Sequence, residues 1–155
     1  MSPWLLVAVA GLIGVAATLL ASFWWLRRRH TFSFDHARQT FQWRREWLEA
    51  EFLSRAAASG KPRGLRWVDC DFDNDVAFAR DRRTGHYRAL VGVAIRFEAI
   101  VGGGMEEVEA VGNLKAATVV FRLDGPHWEA DDRACFNLSP TQTIAHYQNE
   151  LEPVE

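Results

Sequence analysis

The sequence predicts an α+β protein tethered to a membrane: one N-terminal transmembrane helix, then a long helix packed on a bent antiparallel sheet of about five strands, then a short C-terminal helix. Three observations carry this. Residues 3–26, PWLLVAVAGLIGVAATLLASFWWL, hold no charged side chain and end at Arg27, Arg28 and Arg29. Residues 35–58 place apolar side chains at helical spacing, and from Gly64 onward the apolar period changes to two.

A helix over 3–26 is long enough to cross a hydrocarbon core about 30 Å thick, and a helix is the single-segment structure that satisfies its own backbone polar groups in lipid. Trp4 and the pair Trp24 and Trp25 would lie about 30 Å apart along it, placing indoles at both interfaces. A cleaved signal peptide fits less well. The apolar run is too long, Met1 and Ser2 supply no basic n-region, and the small residues Ala21 and Ser22 are followed by Phe-Trp-Trp within the same run. Because the arginines flank only the C-terminal side, the positive-inside bias puts the N-terminus outside and the rest of the chain in the cytoplasm. Ala10, Gly14, Ala17 and Ala21 share one stripe at spacings of four, three and four, a pattern that lets two helices pack closely; lipid-facing filler is the plainer reading.

After this anchor and its basic stop, residues 1–29, the chain divides into a juxtamembrane helical segment, 30–60, and an antiparallel α+β stretch, 61–155, expected to pack together as one unit. The formal net charge of -2 conceals a split. Residues 27–97 carry a net +6 and residues 98–155 a net -8. A basic part beside the bilayer and an acidic part beyond it suit a domain on anionic headgroups. With only Lys61 and Lys115 as lysines and no concentrated basic face, nucleic acid is not an expected partner. Cys70 and Cys135 lack CxxC spacing and read as two buried thiols of a reducing compartment.

Within 35–58, Ala37, Phe41, Leu48, Phe52 and Ala56, with Phe34 just before, fall near one helical face, and Gly60, Pro62 and Gly64 end the helix. Trp43 and Trp47 form a second ridge, expected to pack under the sheet, with a membrane-surface or partner contact as the other reading. Residues 65–72 and 76–80 read as two strands, and DRRTG as a turn. Residues 87–101 give the clearest strand, Tyr87, Ala89, Val91, Val93, Ile95 and Phe97 alternating with Arg88, Gly92, Arg96 and Glu98. Gly102 to Gly104 read as a flexible hairpin, 106–111 as a strand, 115–123 as another, LDGP as a turn, and 128–138 as a returning strand. Ser139, Pro140 and Gln142 form a capping-box start to a final helix with Ile144, Tyr147 and Leu151 as its stripe and Pro153 as its end.

The order of elements, a long helix followed by a meander of strands with no βαβ crossover, resembles cystatin-like and NTF2-like rolls, in which a bent sheet cradles a helix. The resemblance lies in element order and not in any family motif. It implies a cone between helix and sheet. In such a cone Asp71 with His86 or His127 is the candidate ligand-binding set and the starting point for any enzyme reading.

No catalytic signature appears. The three glycines continue as Met-Glu-Glu and not as the Gly-Lys-Ser/Thr of a phosphate loop, and no serine lies in a GxSxG elbow. The alternate carboxylates Asp69, Asp71, Asp73 and Asp75 invite a calcium loop. Both EF-hand frames fail, because Asn74 or Arg80 stands where Gly or Glu is needed, and Arg82 in the second frame. A solvated strand edge is the simpler account. No HxH, HxxxH or HExxH pair is present, and no metal or cofactor is expected. The resulting expectation is a non-catalytic, single-pass membrane protein whose cytoplasmic domain binds a protein partner or assembles a membrane complex, with self-association through the membrane helix. A tethered ligand-binding or enzymatic domain is the alternative. Full-length chain is expected to stay in the membrane fraction after alkaline carbonate extraction; its release into the supernatant would remove the anchor from the account.

Overall fold

A computed structural model of the chain describes residues 33–59 and 62–155, together with Gly14 and Thr18; the side chains of Asp132 and Arg133 fall outside that description. The chain divides into two compact units, Met1–Phe32 and Ser33–Glu155. In the first, Gly14 and Thr18 are helical, and the Thr18 hydroxyl donates to the Gly14 carbonyl at 3.1 Å. The rest of the expected membrane helix and its basic stop, with Trp4, Trp24, Trp25, Arg27, Arg28, Arg29, Ala10, Ala17 and Ala21, lies outside the described residues. Among the described residues no helix is long and apolar enough to cross a membrane.

The second unit is α+β. Helix α1 (Phe34–Ala58) precedes β1 (Leu65–Asp81), β2 (Tyr87–Ala99), β3 (Lys115–Asp124), β4 (His127–Phe136), helix α2 (Pro140–His146) and β5 (Leu151–Val154). All pairings are antiparallel, in the order β4-β3-β2-β1-β5. Helix α1 lies on one face of the sheet through Ala37, Phe41, Leu48 and Phe52, all buried. Phe41 is the hub: its ring meets Trp128 at 5.0 Å, Phe121 at 5.5 Å and Phe78 at 5.8 Å between centroids, geometries in which ring edges meet π faces. The Trp128 indole N–H donates to the Ala37 carbonyl at 3.0 Å and to the Thr40 hydroxyl at 3.2 Å, which satisfies the polar atom of the largest buried side chain.

Helix α2 covers part of the opposite face, where Ile144 packs on Ala79 and Leu90. Hence Ala89 to Val93 of β2 are buried on both faces, and Leu90, an even-numbered position, is as buried as its odd neighbours. The capping box of α2 forms as expected: the Ser139 N–H donates to Gln142 Oε1 at 2.9 Å and the Gln142 N–H to Ser139 Oγ at 3.3 Å.

Four expectations are corrected. Residues 65–72 and 76–80 belong to one strand, β1. The DND sequence between them is a bulge and not a turn, for Phe72 pairs with Val93 and Val76 with Val91, leaving Asp73, Asn74 and Asp75 opposite Gly92 alone. Arg45 of α1 holds the bulge by donating to the Asp73 carbonyl and, at 2.7 Å, to the Asn74 carbonyl, while its Nε donates to Glu49 at 2.6 Å. A second irregularity at Val68 lets both Trp67 and Phe72 face α1, where each meets Phe52.

Residues 106–111 are not a strand. They are loop that ends in a 3-10 turn, Glu109–Gly112, because the segment buries one side chain, Val111, and has no alternating apolar face to pair. The glycine hairpin before it is pinned where Gly103 abuts Gly64: a Cβ on Gly64, whose φ is +77°, would stand 2.7 Å from the Gly103 carbonyl oxygen.

The final helix ends at His146, short of Leu151. Leu151 and Pro153 are in β5, which pairs with Phe78 to Asp81 at the sheet margin, a position where the missing proline N–H costs nothing. Trp43 and Trp47 do not pack under the sheet. They are 75% and 56% exposed, because the stripe through Phe41 and Leu48 takes the buried side of α1.

A Cβ at Gly92 would overlap the Asp73 carboxylate and stand 3.0 Å from its Cγ. Gly92→Ala therefore requires the exposed Asp73 side chain to rotate aside and is expected to destabilise the fold by under about 1 kcal/mol. Asp73→Ala in the same chain should recover most of that in chemical denaturation, and additive effects of the two substitutions would remove the contact as the cause.

Candidate functional site

A cleft of about 1060 Å³ lies at the C-terminal end of α1. Phe52 and Arg55 of α1, Trp67 of β1, Phe136 of β4, and Leu138 and Tyr147 on either side of α2 form its wall. Helix period brings Phe52 and Ala56 to the wall, and the irregularity at Val68 turns Trp67 toward α1. Trp67 stacks edge-on against Phe97 at 5.0 Å, and Phe97 meets Phe136 at 6.4 Å, so an aromatic floor runs from β1 across β2 toward β4. At the other end of α1 the space is filled by Phe41, Phe78, Phe121 and Trp128. The layer between helix and sheet is thus closed at one end and open at the other.

Arg55 is the charged side chain of the wall. Its guanidinium donates to Glu51 at 2.7 Å and to the Ala130 carbonyl at 3.2 Å. Cys135, also in the wall, and Cys70 are both half-buried and not joined in a disulfide. β2 and β3 stand between their strands, about 14 Å of sheet, which is well beyond disulfide reach. Burial, and secondarily the charge of Asp69, pushes the Cys70 thiol up to about 11, so it is not a nucleophile near neutral pH.

Asp71, His86 and His127 do not converge. Asp71 is exposed on β1 opposite Ala94, whereas His86 is exposed in the β1–β2 hairpin, about 25–30 Å further along the strand. His127 begins β4 opposite Asp124 and is exposed at the same end of the sheet as His86, two strand spacings or about 10 Å across. Asp69, Asp71, Asp73 and Asp75 are all exposed along the part of β1 that β5 does not cover, so they line an open margin of the sheet. Among the described residues no group of three or more His, Cys, Asp or Glu could hold a metal ion.

The charged side chains of the face opposite α1 are tied to one another. Arg88 bonds Asp81 at 2.9 Å and lies 3.9 Å from Asp131, and Arg122 bonds Glu129 at 3.1 Å. Burial opposes ionisation of Asp81. The Arg88 guanidinium, the Thr84 N–H at 2.9 Å and the Arg83 N–H at 3.0 Å overcome it and hold the carboxyl at about 2. This arrangement fixes the hairpin.

No protein-family model, curated protein or solved structure matches the chain. The cleft residues were visible in the sequence only as apolar strand and helix positions. The one local signal was the run Cys135, Phe136 and Leu138 at the end of a strand, where alternation alone does not say which side chain is left uncovered.

Because the carboxyl of Asp81 is held below its unfolded value, its stabilisation is complete above about pH 4 and is lost as pH falls through 2. Asp81→Asn is expected to lower the melting temperature at pH 6 and to flatten its fall between pH 4 and pH 2. An unchanged acid limb would show that Asp81 does not carry it.

Proposed function

We propose that the protein is a single-pass, membrane-anchored interaction module, with its N-terminus outside and its folded domain in the cytoplasm, where it binds a protein partner or helps assemble a membrane complex. The observation that carries this reading is the cleft, an apolar recess open at the sheet margin, in a domain where Asp71, His86 and His127 lie apart. The uncharged run before Arg27 supports the anchor, and the arginines support the orientation. The order of elements, α1 followed by a meander of strands, supports the analogy with cystatin-like and NTF2-like rolls.

A second reading is favoured by the same recess. About 1060 Å³ with aromatic walls and one arginine at the side is the scale of a small-molecule site, so a tethered ligand-binding domain is the alternative.

Extraction in mild detergent is expected to yield the full-length chain with a stoichiometric partner or as a defined oligomer. A chain that emerges alone and monomeric, but is stabilised by a small metabolite, would shift the reading to the ligand site; at a hundred times its dissociation constant such a ligand adds about 2.7 kcal/mol. A cysteine introduced at Arg83, in the exposed β1–β2 hairpin, should be labelled only from the cytoplasmic side.

A further inference from the structure

The sheet has open margins, and three of their four stretches are guarded. Along β1, the part that β5 leaves uncovered carries the carboxylates of Asp69, Asp71, Asp73 and Asp75 and is broken by the bulge. The outer side of β5 carries Pro153, and β5 is only four residues long. On β4, the first half is interrupted by the register shift opposite Val120, and Arg55 occupies the outward carbonyl of Ala130. Charges, prolines, bulges and short strands are the devices that keep a sheet from adding another strand. The remaining stretch, Ala134, Cys135 and Phe136, has none of them.

Its backbone faces outward at two places. The Asn137 N–H donates to the Ala116 carbonyl at 2.9 Å, and Phe136 pairs with Ala117, Cys135 with Thr118 and Ala134 with Val119. Hydrogen-bonded positions alternate along an antiparallel pair, so Cys135 turns its N–H and C=O to β3 whereas Ala134 and Phe136 turn theirs away from it. All three residues line the cleft, which wraps the margin from Trp67 on the α1 face to Tyr147 on the other.

We propose that this stretch of β4 receives an extended segment of another protein as an added strand, with a bulky apolar side chain of the incoming segment seated between Phe52, Trp67 and Phe136. The proposal rests on the interaction reading above and names its site and partner chemistry. Outward N–H and C=O groups supply the backbone pairing, and the recess beside them supplies side-chain selection, the two parts of recognition by strand addition. The wall holds one charged side chain, Arg55, and no carboxylate, so the segment is neutral to acidic. A second copy of this chain fits less well, because Ala134, Cys135 and Phe136 offer only three residues for pairing and no bulky side chain of the same stretch is free to enter the partner's recess.

The test is panning full-length chain in mild detergent against a phage library of random peptides about twelve residues long. Enriched peptides should carry bulky apolar residues at every second position. Their binding should weaken by at least about tenfold in Ala134→Pro, which removes an outward donor that the fold does not use, and in Phe136→Ala. Trp47→Ala, at an exposed position of α1 outside the cleft lining, should leave it unchanged, and melting temperatures report folding of each variant. Should Ala134→Pro fail to fold, Ala134→Lys carries the same reading. No enrichment, apolar spacing of three and four, or binding indifferent to all the β4 variants would overturn the proposal. So would saturable binding of dansyl-undecanoic acid without peptide binding, which gives the cleft to a small amphiphile, or a dimer dissolved by Ala134→Pro, which gives the margin to self-association. A natural partner that still co-purifies with Ala134→Pro leaves the interaction reading standing and removes only this site.

Discussion

The fold of Ser33–Glu155 depends on the seating of Trp128 beneath α1. An indole buried without a partner for its N–H is costly, and here the donor reaches the Ala37 carbonyl and the Thr40 hydroxyl one turn into the helix. That bond fixes the height and rotation of α1 over β4. With Phe41 then surrounded by Phe78, Phe121 and Trp128, the N-terminal half of the helix is held against the sheet on all sides. The C-terminal half is held by Phe52 and by side chains reaching backbone carbonyls, Arg45 at the bulge of β1 and Arg55 at β4. Two arginines on opposite flanks of one helix straddle the sheet. The recess lies beyond the last of these attachments.

The two faces of the sheet use different physics. Under α1 the contacts are aromatic and dry. On the other face α2 covers only Ala79 and Leu90 and their neighbours, and the rest is spanned by cross-strand ion pairs such as Arg88 with Asp81 and Arg122 with Glu129. Exposed pairs of this kind contribute little to stability, so the Arg88–Asp81 pair, sheltered in the hairpin and reinforced by two backbone donors, accounts for most of the electrostatic gain there.

Much of this was legible in the residues. The stripe Ala37, Phe41, Leu48 and Phe52, the alternation along β2 and the Ser139 capping box each have one physical reading, and the structure follows it. What was not legible turned on partners distant in sequence. DND looks like a turn until Arg45, some thirty residues earlier, is seen to bind its carbonyls and Gly92 to give it room. Leu151 continues a helical stripe by spacing, yet the uncovered side of β1 offers it backbone hydrogen bonds that a frayed helix end lacks. The cleft itself escaped notice because exposure of Phe136 or Trp67 is decided by where α1 stops.

Parity along β1 has a further consequence. Trp67 and Phe72 differ by an odd number of residues and yet share a face, which is possible only because Val68 is an extra residue in the ladder; the wider bulge at Asp73 to Asp75 adds two and leaves the alternation in phase. Deleting Val68 would remove that extra residue and leave the two aromatics at an even spacing on the same face, whereas a single insertion or deletion in the uninterrupted ladder from Val76 to Arg80 would put the side chains on either side of the change out of phase. Length is therefore forgiving at the bulges and strict between them: one residue can be lost at Val68 without turning a ring outward, but not from the stretch that carries Phe78.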